Sequence, residues 1–288
     1  VDYILHNTGY NIRVFSRDEQ KQEAMKRRVN NNRVRYLLGD VRDRERVSRA
    51  LRCVDYVVHA AALKIIPLGE YNPDEVIKTN ILGSANVIYE AINAGVKRVV
   101  VTSSDKAVAP CNLYGHTKAA MENLARLANL SSGETEILVC RYGNVIASRG
   151  SIFTILRSMA DSGVIKLTHP EMTRFFISLE KAAEFVMNVL YHGNPLDIYV
   201  PKMASVRLVD AVRDLCPETP IVFTGMRPGE KLHEELTGEY EVYVTERNWV
   251  RVKNPLENWE PRRPLSSKDP VFDTKGLHEE IRKSYQES

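Results

Sequence analysis

Thr102-Ser103-Ser104-Asp105-Lys106-Ala107, followed by Tyr114-Gly115-His116-Thr117-Lys118, is the part of this chain whose residue types could do chemistry. It brings a carboxyl group, an amine and a Tyr-x-x-x-Lys pair into one short stretch. On a helix, Tyr114 and Lys118 share a face. A lysine charge beside a phenol lowers its pKa from the usual value of about 10. A phenolate near neutral pH is a usable base for a sugar or alcohol hydroxyl. An amphipathic helix with a surface lysine has the same spacing. The residues before the pair favour chemistry: Arg98-Val99-Val100-Val101 reads as a buried parallel strand, with the Asp-Lys pair at its end. Open α/β sheets place their sites where strands end in polar residues.

The elements needed to hold such a site are legible on both sides of it. Val1–Asn7 reads as the end of a helix closed by Thr8-Gly9, and Asn11–Phe15 as a strand. A charged helix follows over Asp18–Val29, then a strand over Val34–Leu38, a helix over Arg42–Leu51 and a strand over Val54–His59. Pro73–Ala94 reads as one long helix ending near Gly95. The Val99 strand, a helix from Tyr114 to Leu130 and a strand over Glu136–Arg141 complete the alternation. This pattern predicts βαβ units: an α/β, doubly wound parallel sheet of Rossmann-like type. Residues 1–146 form that domain, and residues 176–200, including a helix over Leu179–Tyr191, return to it. Residues 147–288, with more Pro and Gly, read as a smaller C-terminal substrate lobe and tail.

A dinucleotide fold opens with a strand, a glycine-rich turn and a helix whose N-terminus receives the pyrophosphate. Only Gly9 and Gly39 occur in the first 39 residues, and neither belongs to such a turn. Without that strand, two neighbours would carry unpaired backbone groups. The expectation is therefore an upstream segment of about 20 residues.

Composition narrows the function classes. With 40 basic and 37 acidic residues, the net charge of +3 is too balanced to point to nucleic acid. Lys26-Arg27-Arg28 reads as a solvated helix face. Cys53, Cys111, Cys140 and Cys216 have neither metal nor disulfide spacing, which fits a reducing cytoplasm. No apolar run reaches the roughly 18 residues of a membrane span, and no signal peptide is evident.

Several residues carry a cofactor signal. Ser16, Arg17 and Lys21 follow the first strand, where a carboxylate suits the ribose of NAD and an arginine suits the 2′-phosphate of NADP. NADP is expected over NAD. A capped helix start, with Ser16 as cap and Glu19 at the third position, fits the same residues. Asp40-Val41 could meet the adenine edge or form a plain turn. Ala60-Ala61-Ala62 permits close backbone approach to a ligand. His59 reads as a satisfied strand-end histidine, and Asn80 as a polar residue that fixes a buried backbone or loop.

Taken together these stretches resemble the extended short-chain dehydrogenase/reductase superfamily. Within it they resemble the inverting UDP-N-acetylglucosamine 4,6-dehydratases of the pseudaminic acid pathway. The resemblance rests on Phe15-Ser-Arg-Asp-Glu-x-Lys-Gln, Gly39-Asp-Val-Arg-Asp, His59-Ala-Ala-Ala-Leu-Lys64, Glu70-Tyr-Asn-Pro, Lys78-Thr-Asn80 and Asp105-Lys-Ala. It continues in Asn112-Leu-Tyr-Gly-x-Thr-Lys, Arg141-Tyr-Gly-Asn-Val, Ser148-Arg-Gly-Ser, Met172-Thr-Arg-Phe and Arg227-Pro-Gly-Glu-Lys-Leu-His-Glu. It covers about residues 11 to 236, and the short interval from Asp105 to Tyr114 is its most specific mark. A related branch similar to capsule enzymes has Met in place of the tyrosine. Residues beyond about 240 match little.

The resemblance implies a three-stage reaction with NADP. Tyr114, helped by Lys118, takes the sugar C4 hydroxyl proton, and Ser104 orients that oxygen. Lys106, tuned down to about pKa 7–8, removes the C5 proton. Asp105, with a raised pKa, protonates the departing C6 hydroxyl. Hydride then returns to C6, and C5 is reprotonated on the opposite face, with Tyr114 a candidate donor. Lys64, Thr102 and Tyr142 join Tyr114, Lys118 and Asn80 at the cofactor. Arg174 and Arg227 are expected on the diphosphate, with Asn144, Lys202 and Lys64 as helpers, and Glu230 on ribose hydroxyls. An interlobe ion pair would also account for Arg174 and Arg227. No metal is implied, and homo-oligomers are expected. The alternatives are another nucleotide-sugar enzyme of the superfamily, such as a C4 epimerase, and a non-catalytic NADP-binding protein.

Overall fold

The computed structural model describes residues 1–146, 148, 152–247, 249–253, 263–269 and 276–287. Strands β1 (Ile12–Ser16), β2 (Val34–Leu38), β3 (Tyr56–His59), β4 (Arg98–Ser104) and β5 (Glu136–Tyr142) alternate with helices, as the periodicity predicts. β6 (Asn144–Val145), β7 (Ile165–Leu167), β8 (Thr173–Ile177), β9 (Ile198–Pro201) and β10 (Ala204–Arg207) follow, then β11 (Ile221–Phe223), β12 (Tyr243–Thr245) and β13 (Trp249–Val252). The large sheet runs β12-β13-β9-β5-β4-β3. β3, β4, β5 and β9 are parallel, and β13 adds antiparallel to β9. β1 and β2 pair in parallel with each other, as a separate two-stranded sheet.

The valine run of β4 is continuous because both faces of the sheet are covered. Val99 and Val101 pack with Val87, Ile88, Met121 and Ala125 on one side. Val100 packs with Leu138, Cys140, Phe185 and Val189 on the other. Full burial of each such side chain contributes about 1.5–3 kcal/mol. β12 and β13, assigned to the lobe from sequence, instead extend the large sheet. Val250 and Val252 alternate into the main core, and Trp249 stacks edge-on against Tyr199 at 5.3 Å. The lobe builds its own core from Ile146, Leu156, Phe176, Val206, Val212, Leu277 and Ile281.

Two local expectations need correction. Asp18, not Ser16, caps the helix Glu19–Val29, accepting from the Lys21 N–H at 2.9 Å. β1 runs through Ser16, so the helix starts later, and the Ser16 Oγ accepts from the Gln22 side chain at 3.4 Å. The expected helix Pro73–Ala94 is interrupted by a π-helical turn over Lys78–Leu82. That turn buries Asn80, whose amide bridges two segments. Asn80 Oδ1 accepts from the Leu63 N–H (2.8 Å), and Nδ2 donates to the Leu63 carbonyl (2.9 Å) and to Thr117 Oγ1 (3.0 Å). Such turns recur at functional sites. No described helix is long and apolar enough to cross a membrane.

Candidate active site

β4 ends at Ser104, opposite Tyr142 of β5, and Asp105–Ala107 form a single 3₁₀ turn. The helix Leu113–Ala128 then begins with Asn112 as its cap, Oδ1 accepting from the Gly115 N–H at 2.8 Å. The helix start lies directly on the turn. A Cβ at Gly115 would sit 2.3 Å from the Lys106 carbonyl oxygen, so only glycine allows this approach. The cap is braced from outside. Asn112 Nδ2 donates to the Gly229 carbonyl (2.9 Å), and Glu70 Oε1 accepts from the Leu113 N–H (2.8 Å).

This packing gathers Ser104, Asp105, Lys106 and Tyr114. Ser104 Oγ donates to Asp105 Oδ1 at 2.9 Å and is hydrogen-bonded to the Tyr114 phenol. Lys106 Nζ donates to Asp105 Oδ1 at 3.1 Å and lies 3.4 Å from Glu234 Oε1. Asp105 is fully buried, and its Oδ2 accepts no hydrogen bond among the described residues. The expectation that Lys106 is tuned down is not met. Burial pulls its pKa down, but the Asp105 and Glu234 carboxylates outweigh that and hold it above the ordinary lysine value.

Lys118 also differs from its expected role. It shares the helix face with Tyr114, but its Nζ donates to the Thr102 carbonyl and contacts Met121 Sδ. Burial lowers its pKa to about 8, with Glu122 pulling the other way. The Tyr114 phenol is raised, because burial outweighs the Lys106 charge and the Ser104 hydrogen bond. So it is Lys106, not Lys118, whose charge opposes the rise at Tyr114. Tyr142, hydrogen-bonded to Thr102, is pushed up to about 12 by burial.

The remaining dinucleotide candidates lie at or after the ends of β1, β2 and β3. Arg17, half exposed after β1, lies 3.5 Å from Asp40 after β2, and Arg42 holds the same carboxylate at 2.7 Å. Lys21 pairs with Asp18 at 2.7 Å. Val41 packs under Gly83, where a Cβ would meet it at 2.7 Å. Ala60–Ala62 follow β3. His59 is a buried, satisfied side chain, 2.9 Å from Ser84 Oγ, with its pKa driven to about 3 by burial and the Lys118 charge. Lys64 lies close enough to Lys106 for that charge, together with burial, to lower its pKa, and it reaches Ser148 Oγ at 3.4 Å. Of Ser148–Ser151, only Ser148 is among the described residues.

The substrate candidates divide. Arg174 on β8 donates to the Thr173, Lys231 and Leu232 carbonyls and approaches Glu234 at 3.8 Å, so it joins the Lys106 cluster. Arg227 and Glu230 bond to each other within one turn (Nε to Oε1, 2.9 Å), not across the lobes. Burial pushes the Glu230 carboxyl up, but Arg227 brings it below its usual value. Asn144 Nδ2 is used within the fold, donating to the Phe175 carbonyl at 3.1 Å. Lys202 lines a separate cleft with Lys181, Glu184 and Arg247. Glu234 and Lys231, 3.9 Å apart, were given no role from sequence, although both sit in the Arg227–Glu234 stretch. The signal was an acidic residue three positions after a lysine.

The sequence profile of the family described as "Polysaccharide biosynthesis protein" matches residues 1–252. A UDP-N-acetylglucosamine 4,6-dehydratase (inverting) of Campylobacter jejuni is 43% identical over 238 residues, covering 81% of this chain and 71% of the relative. A UDP-glucose 4-epimerase of Rickettsia conorii is 44% identical over 238 residues, covering 80% of this chain and 70% of the relative. The crystal structure of Pen from Bacillus thuringiensis superposes with TM-score 0.87 at 32% identity, covering 98% of this chain and 91% of that one. The dTDP-glucose 4,6-dehydratase DesIV of Streptomyces venezuelae, solved with NAD and TYD, shares the fold at TM-score 0.73 and 18% identity, covering 98% and 89%.

Proposed function

The chain belongs to the polysaccharide biosynthesis protein family, and from that premise we propose that it is a lyase: it removes water from UDP-N-acetylglucosamine across C5 and C6 with inversion at C5, using NADP. The observation that carries this reading is the Asp105–Lys106 pair at the end of β4, in hydrogen-bond or charge contact with Ser104 and Tyr114. The inverting dehydratase among the relatives supports it.

The residues present suit a dinucleotide. The C-terminal ends of β1 to β4 supply Arg17, Asp40, Ala60–Ala62 and Thr102, and the buried Ser103 Oγ has no hydrogen-bond partner among the described residues. Arg42 is shared between Asp40 and Glu75, so the half-exposed Arg17, 3.5 Å from Asp40, is the guanidinium suited to the 2′-phosphate of NADP. When bound, the nicotinamide would supply an acceptor for the C4 hydride and a donor for its return to C6.

Tyr114 takes the C4 hydroxyl proton as a phenolate, the form that the Lys106 charge and the Ser104 hydrogen bond favour against burial, and Ser104 orients the oxygen. The C4 ketone then acidifies C5–H. Moving one proton from Lys106 Nζ to Asp105 Oδ1, 3.1 Å away, converts the resting ion pair into an amine and a carboxylic acid together. The amine removes the C5 proton as the acid protonates the departing C6 hydroxyl, so water leaves and the pair is again ionic. Reprotonation of C5 on the opposite face sets the inverted product. Arg174, whose charge reaches Lys106, is a cation beside this centre for the diphosphate.

A second reading, C4 epimerisation, is favoured by the epimerase among the relatives. Epimerisation has no use for an acid at C6, and the buried Asp105 argues against it. Incubation with UDP-N-acetylglucosamine and NADP separates the two. Loss of one water from the sugar nucleotide is the expected result; an isomer of unchanged mass would overturn it.

A further inference from the structure

Glu234 is a buried carboxylate for which neither the fold nor the reaction above has a use. Its backbone is fixed from both sides by Ser267: the Glu234 N–H donates to Ser267 Oγ at 2.8 Å, and the Ser267 N–H donates to the Glu234 carbonyl at 2.7 Å. Its side chain accepts no hydrogen bond at Oε2 among the described residues. Three cations surround it instead: Lys106 at 3.4 Å, Arg174 at 3.8 Å and Lys231 at 3.9 Å. A structural carboxylate at this depth would be satisfied by hydrogen bonds. What Glu234 offers its neighbours is charge.

Of those three cations, Lys106 is the one that also meets Asp105. We infer that Glu234 is a positioning residue for Lys106: its carboxylate holds the amine between two anions, opposite Asp105, and keeps it an ammonium in the resting protein. This rests on the dehydratase reading for its meaning, though not for its measurement. The groups that face Lys106 are Asp105 from its own turn, Tyr114 from the helix Leu113–Ala128, Lys64 from the segment after β3, Arg174 from β8 and Glu234 from the lobe. Burial raises the Tyr114 phenol, and the Lys106 charge opposes that rise. Asp105 and Glu234 are the two carboxylates in the set, and either one, removed, leaves Lys106 easier to deprotonate. An opposite charge at this range moves a titration by about 1–3 pH units.

The test is a titration of the Lys106 Nζ resonance by 15N NMR in protein labelled at lysine Nζ, assigned with Lys106→Arg, alongside the pH profile of water loss. In Glu234→Gln, Lys106 should release its proton at least about one pH unit lower than in the wild type. The basic limb of the activity profile, where the ion pair loses that proton, should move the same way. Glu234→Asp, which keeps the charge one methylene back, should fall between the two. Should the Gln variant fail to fold, a lowered Lys106 titration in the Asp variant supports the inference and an unmoved one overturns it. An unmoved titration in a folded Gln variant overturns it too, even where turnover drops. A lowered titration in a protein that forms no dehydrated product would sustain Glu234's role and remove the dehydratase reading, so the two failures are distinct.

Discussion

Gly115→Ala should impair catalysis far more than stability. The added Cβ would lie 2.3 Å from the Lys106 carbonyl oxygen, and 3.0 Å from Pro110 Cβ. Ordinary contact requires the turn or the helix start to retreat by about 1 Å. Both sides are constrained: Asn112 ties the helix start to Gly229, and Ser104 Oγ ties Asp105 in place. Overpacking of this kind costs about 1–3 kcal/mol. The helix propensity gained by replacing glycine returns up to about 1 kcal/mol. With that gain taken in full, the net loss of up to about 2 kcal/mol would lower Tm by a few degrees, which a chain of this size tolerates. The displacement acts on the atoms that carry Lys106 and Tyr114, and misplacing reactive groups by about 1 Å lowers rates by about 10²-fold. Initial rates of water loss at saturating substrate, with a thermal melt on the same preparation, measure both. A variant that folds and turns over within about threefold of wild type would refute the claim that this close approach sets the catalytic geometry.

Three further outcomes follow from other parts of the structure. Arg141 is fully buried and bonded to Glu122 (2.6 and 2.9 Å), Glu241 (2.7 Å) and the Leu236 carbonyl, so Arg141→Leu should destabilise by about 3–5 kcal/mol, read by urea unfolding. Arg17→Ala should weaken NADP binding by about tenfold or more while leaving NAD binding nearly unchanged, because it removes a half-exposed guanidinium suited to the 2′-phosphate; calorimetry with both nucleotides checks this. His59, with an ordinary value of 6.5, is held near 3 by burial and the Lys118 charge, so the unfolded chain binds a proton that the folded protein refuses. Its contribution is complete above pH 6.5 and is lost at roughly 1 kcal/mol per unit as pH falls towards 3; His59→Phe should flatten that part of the stability profile.

The strands and helices that frame the site were legible because their signals are local. The valine run of β4 and the polar residues after it mark a strand end, and the helix read over Tyr114–Leu130 is observed over Leu113–Ala128. The roles of Asp105 and Lys106 were less visible. Lys106 also faces Glu234, 128 positions further along, and only the tertiary fold brings the two together. Lys118 shows the limit of helical spacing. It shares a face with Tyr114, yet its amine turns to a backbone carbonyl, because a buried ammonium takes the nearest strong acceptor. The π-helical turn at Asn80 was hidden for a similar reason: the apolar period continues through it, and only the tertiary bonds to Leu63 and Thr117 select it. Residues 243–252 carry too short an alternation to be distinguished from loop by pattern alone.

The most direct test of the Asp105–Lys106 chemistry uses UDP-N-acetylglucosamine deuterated at C4, with NADP and no added reductant. The product should lack one water and carry the deuterium at C6, and Lys106→Ala should yield no dehydrated product. An unchanged mass with the label still at C4, or water loss undiminished in Lys106→Ala, would contradict the account.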